Sequence, residues 1–127
     1  MTYRFHHVHI LCKDLEKMIT FFTDVLNADL IARKKFGTAD GASLGLQGTI
    51  VNIRVAREDE EMVGDASQLR YGYDHIGLEV EDVDATYQEL TQRGYSFFMT
   101  PKDVPELRIA FFKGPEDLTI ELVQPID

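Results

Sequence analysis

Few of the features that assign a protein quickly are present. Cys12 is the one cysteine in 127 residues, so no internal disulfide can form. Its place in an alternating apolar run reads as a core thiol rather than a nucleophile. Basic residues are outnumbered: 13 Lys and Arg face 22 Asp and Glu, for a formal charge of −9. No basic cluster offsets that deficit, which argues against a nucleic-acid partner. Apolar runs are too short to span a bilayer, and the N-terminus lacks the basic-then-apolar layout of a secretory signal. The expectation is a soluble, cytoplasmic chain with no membrane partner, long enough for one domain of ordinary size.

Against that background stands an internal repeat. Phe5-His6-His7-Val8-His9-Ile10-Leu11-Cys12-Lys13-Asp14-Leu15 and Tyr73-Asp74-His75-Ile76-Gly77-Leu78-Glu79-Val80-Glu81-Asp82-Val83 each set a histidine seven residues ahead of an Asp. From His7 to His75 the copies lie 68 positions apart. Each pairs a strand start with a helix start, the mark of a duplicated unit.

In chain order, alternation over 5–12 predicts a strand, with Val8, Ile10 and Cys12 on one face and Phe5, His7, His9 and Leu11 on the other. Asp14 then caps a helix carrying Leu15, Met18, Ile19, Phe22 and Leu26 at helical spacing, ending near Asn27. Strands are predicted over 30–36, 42–47 and 50–56, with a turn at 37–41 and a tight connection at Gly48. Residues 57–70, rich in acid, read as a solvated linker with room for a short helical turn. The second copy repeats the order: a strand over 73–80, a helix capped by Asp82 and ended by Gly94, strands over 95–100, 108–113 and 118–124, a loop over 101–106 and a turn at 114–117. Pro125 closes the last strand. The fold class is therefore α+β, two βαβββ modules (about 3–57 and 71–125) with an open, curled mixed sheet around a cavity.

All four histidines, His6, His7, His9 and His75, fall in the two equivalent strand starts. Parity places His7, His9, His75 and Glu79 on the face opposite the apolar one, where imidazoles and a carboxylate suit a borderline divalent metal. Glu121, flanked by Ile120 and Leu122 in the last strand, is the candidate third donor. A buried bare carboxylate costs several kcal/mol, so Glu121 needs a cation or hydrogen bonds, or else must face solvent.

These residues resemble the vicinal oxygen chelate superfamily, which includes glyoxalase I, methylmalonyl-CoA epimerase, extradiol dioxygenases and fosfomycin-modifying enzymes. The likeness covers nearly the whole chain and is carried by His7 with Asp14-Leu15-Glu16 and Phe21-Phe22, by His75 with Asp82-Val83, and by Gly114-Pro115-Glu116-Asp117-Leu118-Thr119-Ile120-Glu121-Leu122. It implies His7 (over His6 and His9), His75 and Glu121 as ligands of one divalent metal ion, whether zinc, nickel, cobalt, manganese or iron(II). A fourth family position falls on Asn52, where related enzymes carry Glu or Gln. An amide oxygen can coordinate a cation but takes no proton near neutral pH, so Asn52 is a ligand, a substrate or outer contact, or a plain strand residue.

What the resemblance implies is a metal-dependent lyase or isomerase like glyoxalase I, stabilising an enediolate or enolate of a small carbonyl or thiol-adduct substrate. Glu121 is the strong base candidate. Glu79 is either a second acid-base group or an ordinary exposed strand residue. His9 and Arg54 are substrate-contact candidates, each with a structural alternative. Other readings are an acyl-CoA epimerase, an iron(II) extradiol-type dioxygenase and a non-catalytic drug-binding module. A homodimer is the family's usual assembly.

Overall fold

Alternation and capping produce the same element order in each half of the chain. The computed structural model describes residues 1–2, 4–64 and 71–126. Two compact units emerge, Met1–Val63 and Gly64–Asp127, with the division inside the acidic linker.

In the first unit, β1 (His7–Cys12) leads into α1 (Leu15–Thr20), which continues as a π-helical turn over Phe21–Val25. Asp14 caps α1: its side chain accepts from the Lys17 N–H at 3.1 Å, satisfying one of the free amides of the first turn. Asn27 stops the helical run at φ 58°, a left-handed conformation that Asn tolerates better than most residues. There follow β2 (Asp29–Phe36), β3 (Ala39–Leu46) and β4 (Thr49–Val55), forming a sheet in the order β1-β4-β3-β2. β1 runs parallel to β4, and the other pairs are antiparallel.

The second unit repeats this as β5 (Ile76–Glu79), α2 (Val83–Gln92), β6 (Phe97–Val104), β7 (Leu107–Lys113) and β8 (Thr119–Pro125), ordered β5-β8-β7-β6. Asp82 caps α2 through the Ala85 N–H at 3.0 Å, and Gly94 ends it at φ 95°. The fold is thus α+β, two open four-stranded mixed sheets each carrying one helix. Among the described residues no helix is long and apolar enough to cross a membrane.

One face of each sheet is buried under its helix. In the first unit Ile10, Cys12, Leu44, Val51 and Ile53 of the sheet and Met18, Ile19 and Phe22 of the helical run are buried, with α1 packed on β3 and β4; in the second, Ala110, Phe112, Ile120 and Leu122 and the helix residues Val83 and Leu90 are buried, with α2 packed on β6, β7 and β8. Each such large apolar side chain contributes about 1.5–3 kcal/mol on burial. The opposite faces carry polar members of the alternation such as His9, Asn52 and Glu121, together with Phe111 and the buried Ile109.

Several boundaries differ from the expected ones. The turn after β2 is two residues, Gly37 and Thr38, so Ala39–Gly41 belong to β3. Gly37 at φ 64° permits that reversal without a longer loop. Pro101–Val104 lie in β6 rather than in a loop, since β6 is an edge strand and its register shifts between Met99 and Lys102. Pro is tolerated there because its missing N–H removes no obligatory ladder bond. β6 begins at Phe97, not Tyr95, and β5 is shorter than 73–80, since only Ile76–Glu79 pair with β8. α2 lies over β6, β7 and β8, which leaves Ile76, Leu78 and Val80 half-buried. Of the linker, 57–64 forms a turn and no helix, and 65–70 lies outside the described residues.

Candidate functional site

Parallel pairing of β5 with β8 sets Gly77 opposite Glu121, and antiparallel pairing sets Glu121 opposite Phe111. Paired residues project from one face, so Gly77, Glu121 and Phe111 share a row on the face turned away from α2. His75 precedes β5 by one residue and leans over that row. Its Nε2 lies 3.1 Å from Oε1 of Glu121, and its Nδ1 lies 2.7 Å from Oδ2 of Asp74. Phe111 braces the imidazole edge-on, with ring centroids 5.2 Å apart. Gly77 keeps the gap open: a Cβ there would already touch Glu121 Oε1 at 3.5 Å, and a larger side chain would crowd the carboxylate.

Charge balance then restricts the chemistry. An ionised carboxylate only accepts hydrogen bonds, so the Asp74 contact requires a proton on Nδ1. The Nε2 lone pair is thereby aimed at a second carboxylate, and that contact is favourable only with a second proton or a cation. Glu121 keeps 18% side-chain exposure, so its carboxylate is largely but not wholly withdrawn from solvent. A carboxylate and an imidazole, with an acidic partner behind that imidazole, are donor types that fit a divalent metal.

The first unit holds the counterparts. With His7 matched to His75, strand register matches His9 to Gly77, Asn52 to Glu121 and Ser43 to Phe111. His7 is exposed at the start of β1, its Nδ1 2.9 Å from that of His6. His9 fills the place that Gly77 leaves open, its ring 4.5 Å from Phe36 and 6.1 Å from His7. Partial burial, then the positive charge of Arg54, lowers its pKa below the ordinary imidazole value, with His7, Arg57 and Lys34 adding to the effect. Asn52 is buried and its Oδ1 accepts the Ser43 hydroxyl at 2.5 Å.

Arg54 is held rather than waiting for an anion. Its guanidinium grips Glu60 through two bonds of 2.6 and 2.8 Å, and a substrate acid would have to compete with that pair. The Glu60 carboxyl is pulled down to about 2, chiefly by Arg54 and next by the Arg57 N–H. Glu79 is exposed on the face of Gly77 and Glu121, and among the described residues no hydrogen bond or ion pair joins it to His75 or Glu121. His75 and Glu121 are therefore brought together, while Glu79 is not. Within neither unit do three His, Cys, Asp or Glu side chains gather to hold a metal among the described residues. Asp74, Gly77 and Phe111 were not singled out from sequence. A carboxylate adjoining a candidate ligand, and a glycine where the first copy has His9, were the available signals.

Comparison with known proteins agrees with this architecture. The chain is 27% identical to a probable lactoylglutathione lyase of Synechocystis, over 93% of this chain and 92% of that protein. A glyoxylase/bleomycin resistance protein/dioxygenase domain from Frankia superposes with a TM-score of 0.81 at 21% identity, covering 100% of this chain and 95% of that one. An antibiotic binding protein from Streptomyces superposes at 0.75 with 22% identity, covering 98% of each chain. The family profile of the Glyoxalase/Bleomycin resistance protein/Dioxygenase superfamily matches residues 4–122, and the chain belongs to that superfamily.

Proposed function

We propose that the protein is a metal-dependent lyase or isomerase, similar to lactoylglutathione lyases, that acts on a small carbonyl compound or its thiol adduct. The observation that carries this reading is the approach of His75 Nε2 to Glu121 Oε1 at 3.1 Å, with Asp74 behind the imidazole. His75 and Glu121 hold the ion, and His7, the counterpart of His75, is the further ligand that the family resemblance implies. A divalent ion held there would supply Lewis acidity toward the substrate carbonyl. Asp74 keeps the Nδ1 proton in place, so Nε2 stays a donor atom toward the ion. Glu121 is the base that takes a proton from the carbon beside the carbonyl.

Asn52 favours a second reading. It stands at the counterpart of Glu121, is bonded to Ser43 and accepts no proton near neutral pH, so a two-carboxylate proton relay lacks its second member. That departure suits an epimerase acting on an acyl thioester, iron(II) dioxygenase chemistry or plain small-molecule binding. The deciding experiment supplies the full chain, loaded in turn with zinc, nickel, cobalt, manganese or iron(II), with the adduct of methylglyoxal and glutathione in deuterated water. Thioester formation with a metal supports the lyase reading. Oxygen uptake with a catechol and iron(II), and no thioester with any metal, overturns it.

A further inference from the structure

Beside the His75–Glu121 pair the second unit carries an exposed aromatic residue. Phe98 is 57% exposed, on the outer side of the alternation that half-buries Phe97 and Met99. The register shift between Phe97 and Met99 makes it the extra residue of a bulge, without a partner of its own on β7. Its ring lies tilted against Phe111, centroids 5.6 Å apart, and Phe111 in turn meets His75 at 5.2 Å. Lys113 closes the row: its Nζ stands 5.3 Å from the Phe98 centroid and donates to Thr119 Oγ1 at 2.8 Å. Thr119 is two residues from Glu121 on the same face of β8, and Lys113 is its partner on β7. The pair is thus bordered by an aromatic wall ending in a fixed cation. The first unit shows a related arrangement, with Phe36 between His9 and the Lys34 ammonium.

We propose that Phe98, Phe111 and Lys113 form a subsite beside His75 and Glu121 for a flat aromatic group that carries an acid. A ring stacks on the exposed Phe98 face, and its acidic substituent meets the ammonium that Thr119 holds in position. This substrate class depends on the metal-binding reading of His75 and Glu121. The two-oxygen chelate sits at the pair, and the ring extends along the wall.

Hydroxamates separate the parts, since each binds a metal through two adjacent oxygens. Calorimetric titration of the zinc-loaded full chain compares acetohydroxamate, benzohydroxamate and para-carboxybenzohydroxamate. The ring should tighten binding by about three- to tenfold, the range of one aromatic pair. The added carboxylate should tighten it again. In Phe98→Ala the benzohydroxamate to acetohydroxamate ratio should fall close to unity, and in Lys113→Met the carboxylate increment should vanish. A wild-type protein indifferent to the ring, or a ring preference that survives Phe98→Ala, overturns the subsite while the metal reading stands. Failure of both zinc and acetohydroxamate to bind overturns the metal reading and the subsite with it.

Discussion

Asn52 accepts the Ser43 hydroxyl at 2.5 Å, at the strand position that Glu121 holds in the second unit. The two modules thus present the same place with an amide in one and a carboxylate in the other. Both Ser43 and Asn52 are buried, so removing the acceptor strands a hydroxyl away from water. Asn52→Leu should cost about 1–3 kcal/mol of unfolding free energy, and Asn52→Asp, which keeps the acceptor, should cost less. Urea titration of the two variants checks the order, and equal losses would contradict it.

Glu60 carries a pH dependence. Arg54 and the Arg57 N–H hold its carboxyl at about 2, below the ordinary 4.5. Folding therefore favours the ionised form, and its contribution is whole above about pH 4.5 and lost as pH falls toward 2. Wild-type protein should lose thermal stability over that window more steeply than Glu60→Gln, which has no proton to take up there. Parallel melting curves across the window would show that the Arg54 pair does not contribute.

Gly41 is fixed by contact rather than by backbone angle. A Cβ there would collide with the Ile53 carbonyl oxygen and approach the Phe36 ring to 2.6 Å. The backbone of β4 cannot yield cheaply, so Gly41→Ala should destabilise by about 1–3 kcal/mol. It should also displace Phe36 from His9, which it meets at 4.5 Å. Urea unfolding reads the first effect and the His9 ring proton shifts read the second. An unchanged midpoint would refute the contact.

Much of the scaffold was legible because its causes are local. Alternation placed His7 and His9 opposite Ile10 and Cys12, and Asp14 and Asp82 announced both helix starts. Pro101 misled, because a proline reads as a break unless the strand is known to be an edge. The Asp74–His75 contact was hidden for a related reason. Adjacent residues of a strand point to opposite faces, and these two meet only because β5 starts one residue later, at Ile76. The contact of Phe98 with Phe111 was equally hidden, since it depends on the register between β6 and β7, which a bulge shifts without leaving a mark in the sequence. The pairing of Arg54 with Glu60 depends on how the linker folds back onto β4, which residue types alone do not specify.

Metal affinity of the full chain is the most direct test of the central claim. The purified protein, dialysed against zinc or nickel and then against metal-free buffer, is analysed for bound element beside His75→Ala, Glu121→Ala and Asp74→Asn variants whose circular dichroism matches the wild type. Retention close to one ion per chain is expected for the wild type. His75→Ala and Glu121→Ala should lose the ion, and Asp74→Asn should bind it about ten- to a hundredfold more weakly, as for other partners of a metal-bound histidine. A wild-type chain that retains no metal, or alanine variants that retain it undiminished, would contradict the account.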